Sequence, residues 1–195
     1  GAADCAAAFL GRARRIAVSL DSRTRAAGDV HSLDLNTRSA SERTARGRVR
    51  RAFRSRAARR ARILFKKIDS TLRGHVTAEL SSAQRALGSS RPVIFAPAFP
   101  AQGRQVRGAK LFVRGALASG DLRAFAAKAG LPATHLDLAT IRSRSLAVAL
   151  ESALSEGARA LVCDAETEAD LGALARAGLS LAGRPLFAGS AGLAG

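Results

Sequence analysis

Apolar and polar positions along the chain switch repeatedly between a period near 3.6 and a period of two, which predicts alternating helices and strands. Residues 3–13 carry the helical pattern. Ile16, Val18 and Leu20 then alternate like a strand, and Leu33 and Leu35 share a face within a second strand-like stretch at 30–35. Ser39 or Ser41 is placed to cap an arginine-rich helix with Glu42 in its first turn. Ala45, Val49, Ala52, Phe53 and Ala57 keep helical spacing through that segment. The run Ile63-Leu64-Phe65 reads as a strand, and Val76, Leu80, Ala83 and Leu87 mark one face of the next helix. A second apolar strand, Val93-Ile94-Phe95-Ala96, is ended by Pro97 and Pro100, which remove donors and fix the backbone.

Between Gly103 and Gly120 the runs shorten and glycines punctuate them. Leu111-Phe112-Val113, closed by Arg114-Gly115, predicts a short hairpin. A helix follows over 121–129, closed by Gly130 as a left-handed cap. Residues 135–138 read as a short strand and 143–156 as an amphipathic helix ended by Gly157. Ala160 to Val162 form a buried strand, with Glu166, Glu168 and Asp170 opening another helix. Leu186-Phe187-Ala188 is the last strand and runs into Gly189-Ser190-Ala191-Gly192. Strands separated by helices with short connections predict an α/β fold. Its sheet is mostly parallel with helices on both faces, Rossmann-like, and carries a short hairpin insertion. No internal repeat or long linker divides the chain, so residues 1–195 read as a single domain. The chain opens on a helix, stops after a loop expected to begin another and contains no Met. It is therefore expected to be an excerpt of a longer protein.

Composition narrows the classes. Hydrophobic residues make up 47% but aromatics only 4%, so the core must be Ala, Leu, Val and Phe. No apolar run approaches the roughly 20 residues that cross a bilayer, and the start lacks the pattern of a signal peptide. Cys5 and Cys163 lie far apart without metal-ligand spacing, the pattern expected of reduced thiols in the cytoplasm. The formal charge is +17. Much of it falls between Arg43 and Lys67, where about half the residues are basic. A solvated helix face accounts for this, and no stacking platform or nucleic-acid-binding signature accompanies it. Weak, salt-sensitive attraction to nucleic acid is expected, and a specific nucleic-acid partner is not.

Polar turns follow four of the strand-like runs: residues 36–39, 66–74, 97–104 and 189–192. In a parallel sheet such turns share the carboxyl edge, where open α/β folds bind ligands. The turn over 66–74 is the richest, with Lys66, Lys67, Asp69, Ser70, Thr71, Arg73 and Gly74. Cations there suit a carboxylate or phosphate, a carboxylate and hydroxyls suit OH groups, and glycine allows close approach. Arg38 and Arg73 can each grip a carboxylate with two bonds, although Arg38 can equally be a solvated helix-start residue. Asp69 is a candidate general base or a local cap of its own turn. Ser70 and Thr71 are hydroxyl ligands or helix caps. Lys66 and Lys67 point to opposite faces in strand geometry, so at most one meets the cleft. Asp164, at a strand end, is a site residue or a helix cap. Gly189 to Gly192 resembles a phosphate-cradling turn but lacks the Lys and Ser/Thr of a P-loop, and a plain tight turn is the other reading. His31, His75 and His135 have no metal-binding spacing, so no metal site is assigned; His75 adjoins the cleft loop.

Five segments carry a resemblance: Asp34-Leu35-Asn36-Thr37-Arg38-Ser39, residues 66–74, residues 96–104, Asp164-Ala165-Glu166-Thr167 and residues 189–194. In this order they resemble the four-carbon acid sugar kinase family, long described as a domain of unknown function. The resemblance implies an ATP-dependent kinase that phosphorylates the terminal hydroxyl of a four-carbon sugar acid, such as threonate, erythronate or 3-oxo-tetronate. It also implies two domains, an N-terminal one for the sugar acid and a C-terminal one for the nucleotide. This chain corresponds to the first, so ATP and Mg²⁺ are expected mainly outside it, with Gly189 and Ser190 as its cofactor contacts. Alone it should bind weakly and not turn over. Family members begin with a strand and an Asp-Asp-x-Thr-Gly turn, of which Gly1 resembles the closing glycine. Asp4 matches an acid just beyond that turn, and the two leading acids are missing. Residues 113–138 depart from the family pattern, which leaves the sugar acid's identity open. The expected substrate site is Asp4, Arg38, Lys67, Asp69, Ser70, Thr71, Arg73 and Gly74, with Asp69 catalytic. The expected partner is a small sugar acid, with no membrane and a homodimer left open. The alternatives are a non-catalytic sugar-acid-binding module and a basic nucleic-acid-binding protein.

Overall fold

The computed structural model describes residues 2–11, 13, 15–20, 28–88 and 91–195. Gly1, the expected closing glycine of an acidic turn, lies outside them. The first elements are α1 (Ala2–Ala7), β1 (Ile16–Ser19), β2 (Val30–Leu33), α2 (Glu42–Arg54), α3 (Arg56–Arg60), β3 (Leu64–Lys67), α4 (Val76–Leu87) and β4 (Val93–Ala96). An antiparallel arm follows, β5 (Arg104–Arg107), β6 (Lys110–Val113) and β7 (Ala116–Asp121). The chain then runs through α5 (Leu122–Lys128), β8 (Ala133–Leu136), α6 (Leu138–Ile141), α7 (Leu146–Ser155), β9 (Ala160–Cys163), α8 (Glu168–Ser180), β10 (Leu186–Gly189) and α9 (Ala191–Ala194).

Five strands form one parallel sheet in the order β3-β10-β4-β9-β8. Every residue of β4, β9 and β10 is buried, as continuous apolar runs in a two-sided sheet require. Successive side chains of β4 serve opposite layers. Phe95 stacks on Phe125 of α5 with ring centroids 6.3 Å apart, while Ile94 faces α8 so closely that Gly178 leaves no room for a Cβ. Strands β1 and β2 form a separate parallel pair. The expected α/β architecture, with a central parallel sheet flanked by helices, is thus the observed one.

Several boundaries differ from the sequence reading. Helix α1 stops at Ala7, short of the expected 13. The arginine-rich helix breaks at Ser55, whose extended backbone ends α2 and whose hydroxyl accepts from Ala58 N (3.2 Å) to start α3. Ala45, Val49 and Phe53 are buried as the spacing demands, and Ala57 beyond the break is exposed. Leu138 opens α6 instead of closing a strand, because Asp137 caps that helix through Thr140 N (2.8 Å). The short hairpin is a three-stranded meander. Its outer strands, Arg-Gln-Val-Arg and Ala-Leu-Ala-Ser-Gly-Asp, have little apolar alternation to betray them. Both of its turns are two-residue loops with positive φ, Gly108-Ala109 (56° and 56°) and Arg114-Gly115 (49° and 82°), the geometry that matches strand twist.

Asp164 docks this arm on the sheet. Its carboxylate, 2% exposed, accepts from Gly108 N (2.8 Å) and Ala109 N (3.0 Å), and Val106 pairs with Ala165. His135 Nε2 lies 2.9 Å from Asp164 Oδ1 but outside hydrogen-bond geometry. Asp164 is therefore neither an open ligand nor a helix cap. Thr167 caps α8 in a capping box with Asp170, whose carboxylate also takes Arg142 Nε at 2.9 Å.

Two glycines separate packing from propensity. A Cβ at Gly178 would lie 2.4 Å from Ile94 Cδ1 and 2.7 Å from the Phe187 ring, whereas one at Gly47, inside α2, meets nothing within 4 Å. Gly178→Ala is expected to lose roughly 1–3 kcal/mol and Gly47→Ala to gain about 0.5–1 kcal/mol. Urea midpoints of the two variants should move in opposite directions.

Candidate functional site

The parallel register fixes which turns meet. Gly189 pairs with Lys67 on one side and Ala96 on the other, so the turns leaving β3, β10 and β4 share one edge. Ile68 N donates to Gly189 O (2.9 Å), and the Ser190 hydroxyl donates to Ala98 O. The turn leaving β2 joins them through Arg38, which pairs with Asp69.

Asp69 organises the turn that follows β3. Its backbone O accepts from Leu72 N (2.9 Å), while its Oδ1 accepts from Thr71 N (2.9 Å) and Thr71 Oγ1 (2.6 Å). Leu72 and Gly74 take the left-handed backbone at φ 60° and 86°, and glycine is the residue that does so without steric cost. The reversal returns Arg73 to the same carboxylate, with Nε 3.3 Å from Oδ1 and Nη2 3.2 Å from Oδ2. Arg38 Nη2 donates to Oδ2 from the opposite turn. The Asp69 side chain is 8% exposed, while those of Arg38 and Arg73 are 65% and 68% exposed. One near-buried carboxylate thus anchors two guanidiniums that keep unused N–H groups toward solvent.

Burial pushes the Asp69 carboxyl up, but bonds from Thr71 and Arg73 and the charge of Arg38 outweigh it and hold it well below the usual carboxylate range. A carboxylate so held is a weak proton acceptor. The reading of Asp69 as a capping group of its own turn describes this geometry.

The Arg38 turn is equally braced. Asn36, at φ 42°, donates its N–H to Asp34 Oδ1 (2.8 Å). Arg48 of α2 donates to Leu35 O (3.0 Å) and Asn36 O (2.7 Å). His75 donates through Nε2 to Ala40 O (2.7 Å), strapping the Arg38 turn to the start of α4. His75 therefore braces the site through its ring. Ser41 caps α2, accepting from Thr44 N at 3.3 Å.

The two lysines diverge as strand geometry requires. Lys66 is buried with Nζ 2.5 Å from Glu79 Oε2 of α4. Lys67 is half-buried, donates to Ile68 O (2.6 Å) and forms no ion pair within 4 Å among the described residues. Burial raises the Cys5 thiol, and the Lys67 charge opposes that rise most. Asp4, exposed on α1, lies in the same field. Ser70 sits half-exposed at the turn between Asp69 and Thr71. The structure thus brings Arg38, Asp69, Thr71, Arg73 and Gly74 into one cluster, with Lys67 and Asp4 along its α1 side.

The Ser190 hydroxyl is not open to a ligand. Ser190 is 0% exposed, and its hydroxyl is occupied by Ala98 O and by Gly192 N (3.1 Å). Gly189 is required by packing, since a Cβ would lie 2.7 Å from Ala96 O. A nucleotide contact through the Ser190 hydroxyl does not fit this geometry. Among the described residues no three His, Cys, Asp or Glu side chains are grouped to hold a metal ion, and no helix is long and apolar enough to cross a membrane.

Sequence reasoning missed Glu79, Arg48 and the strapping role of His75. Glu79 was the most findable: it sits within the apolar stripe between Val76 and Leu80, where an acid implies a buried cation.

This fold and edge geometry define a ligand-binding domain of α/β type, and the chain belongs to the family described as the sugar-binding N-terminal domain, whose model matches residues 1–195. It is 38% identical over 213 aligned positions to the D-threonate kinase of Cupriavidus necator, covering 100% of this chain and 50% of that protein. The chain thus spans about half the length of the curated relatives it matches. A Bordetella bronchiseptica domain of unknown function, solved with bound citrate as a domain-swapped dimer, superposes with a TM-score of 0.80 at 26% identity, covering 100% of this chain and 52% of that one. Haemophilus influenzae protein HI1011 shares the fold at a TM-score of 0.82 and 20% identity, over 100% of this chain and 52% of its own.

The Asp69 hub has a pH signature. Its folded-state pKa is depressed, so its stabilisation is present above the unfolded aspartate value of about 3.9 and fades as pH falls below it. Asp69→Asn should lower the urea midpoint at neutral pH, with the gap to wild type closing in acid below about pH 4. A gap of constant size across that range would remove the ion pairs as its cause.

Proposed function

We propose that this chain binds a four-carbon sugar acid at the Arg38–Asp69–Arg73 cluster and forms the substrate half of an ATP-dependent kinase. The carrying observation is the pair of outward-facing guanidiniums fixed by one near-buried carboxylate. That arrangement presents planar forks for a substrate carboxylate. Lys67 supplies a further cation toward α1, and Asp4 and Ser70 stand where hydroxyl groups of a short chain can meet them. Thr71 and Gly74 act through the turn, one holding Asp69 and the other allowing the reversal. The curated relatives named D-threonate kinase support the kinase class. Citrate, bound in the Bordetella bronchiseptica relative, is itself a hydroxy acid.

In this reading Asp69 positions Arg38 and Arg73 instead of accepting a proton, because its carboxyl is held too far down. ATP and Mg²⁺ belong to a separate nucleotide-binding domain, in keeping with a Ser190 hydroxyl whose only proton is already donated to Ala98 O. The cytoplasm is the proposed compartment, in keeping with two buried free thiols, Cys5 and Cys163. A homodimer is the proposed assembly, by analogy with the domain-swapped relative.

Calorimetric titration of D-threonate into the full-length protein tests the site. Arg73→Ala and Arg38→Ala should each weaken binding about 10- to 100-fold, the range for charged hydrogen bonds. Arg73→Lys should recover only part of this, because a point charge cannot replace the fork. Unchanged affinity in Arg73→Ala would take the cluster out of the substrate site.

A further inference from the structure

A cluster of arginines without carboxylate partners among the described residues lies at the opposite end of the sheet from Asp69, where α2 and α4 finish. These helices run in the same direction: Arg46 Nη1 reaches Ala78 O (3.4 Å) near their starts, and Phe53 and Leu87 line one cavity at their ends. That cavity, about 570 Å³, is walled by Arg54 of α2, Arg59 of α3, Arg85 of α4 and Arg91 just ahead of β4. No carboxylate lines it, and none of the four guanidiniums forms an ion pair among the described residues. Between Arg43 and Arg62 the sequence has ten arginines and no acid. Arg46 and Arg48 are engaged near the start of α2, by Glu42 (2.9 Å) and by the Leu35 and Asn36 carbonyls.

Two plainer explanations fall short. Helix C-termini attract cations, but each carries only about half a negative charge. The three that end here therefore call for about one or two arginines, against the four present. A solvated helix face would spread its arginines around one helix, whereas these four come from three helices and a loop into a single hollow. Like charges held together in this way oppose the compact state unless an anion joins them.

We propose that this arginine cradle binds a compact polyphosphate, either free or as the phosphate tail of a nucleotide. Several adjacent phosphoryl groups supply the multiple acceptors that four guanidinium forks require. A single phosphate is too small to meet all four walls. The volume falls within the range of small-molecule sites. An extended nucleic-acid strand is disfavoured because Phe53, the only aromatic side chain in the lining, is 7% exposed and offers no stacking platform.

The test is calorimetric titration of the full-length protein with sodium tripolyphosphate, near physiological ionic strength of about 0.15 M. Two double variants serve as comparison, Arg85→Ser/Arg91→Ser and Arg54→Gln/Arg59→Gln. Wild type should bind one more equivalent than either, or bind at least about tenfold more tightly (about 1.4 kcal/mol). Arg73→Ala should leave that equivalent in place, which separates the cradle from the sugar-acid site. Competition by ATP for the same equivalent would assign it to a nucleotide's phosphates, and lack of competition to free polyphosphate; both support the cradle. Both double variants should melt no lower than wild type without ligand, since they relieve repulsion. Superimposable wild-type and variant isotherms would overturn the proposal. So would a lower melting point in both variants, or single-stranded RNA binding more tightly than tripolyphosphate and being lost in the same variants.

Discussion

Strand β10 lies between β3 and β4, and the ligand-binding edge exists only because it does. Its terminal residue, Gly189, is paired on both sides, and the backbone of Ala96 approaches so closely that no Cβ fits. From that residue Gly189 O takes the first amide beyond β3, and Ser190 ties down the turn beyond β4. Residues far apart in sequence must therefore assemble before Asp69 has its surroundings. The same close packing consumes Ser190. A hydroxyl that reads as a phosphate ligand in the sequence is, in the fold, the fastening that aligns two turns.

Around that edge the scarce acids are spent on internal cross-links. The chain has 15 Asp and Glu against 32 Lys and Arg, yet Glu79, Asp164 and Asp170 are buried, and the Asp69 side chain is nearly so. Each joins elements distant in sequence: β3 to α4, the antiparallel arm to the sheet, α6 to α8, and the β2 turn to the β3 turn. Burying a carboxylate is costly unless it is paired and hydrogen-bonded, and each of the four has such partners. The consequence for function is direct. With carboxylates held inside, the outer surface of the site is cationic, and Arg38 and Arg73 are positioned without being neutralised.

The fold was legible because its central strands are apolar on both faces and its helices carry clear stripes. Val93 to Ala96 and Ala160 to Val162 leave little choice of element. The antiparallel arm was partly hidden because Arg104 to Arg107 and Ala116 to Asp121 lack alternation, and Gly108 and Gly115 read as breaks when they are turn residues. Arg73 and Asp69 could be placed on one turn between strand and helix from the sequence, and the structure pairs them. Ser190 was misread because a sequence shows that a hydroxyl exists but not what else competes for it. The choice between Lys66 and Lys67 needed Glu79, whose pairing is visible only once α4 lies against β3. Pairings of this kind are set by tertiary contacts, which no local pattern encodes.

Helix α2 ties the two proposed anion-binding sites into one electrostatic problem. Its first turn follows the Arg38 loop, and its last residue, Arg54, enters the cradle. Thirteen residues rising about 1.5 Å each separate them by about 20 Å. That is some two Debye lengths at physiological salt, so a charge bound at one end scarcely attracts or repels one at the other through solvent. Any influence between the ends must travel through the packing of α2 on α4, held by buried Ala45, Val49 and Phe53 and strapped at its start by His75. On the proposed function, electrostatic independence with mechanical continuity lets a strongly basic domain recognise a small acid at one edge without interference from the charge at the other.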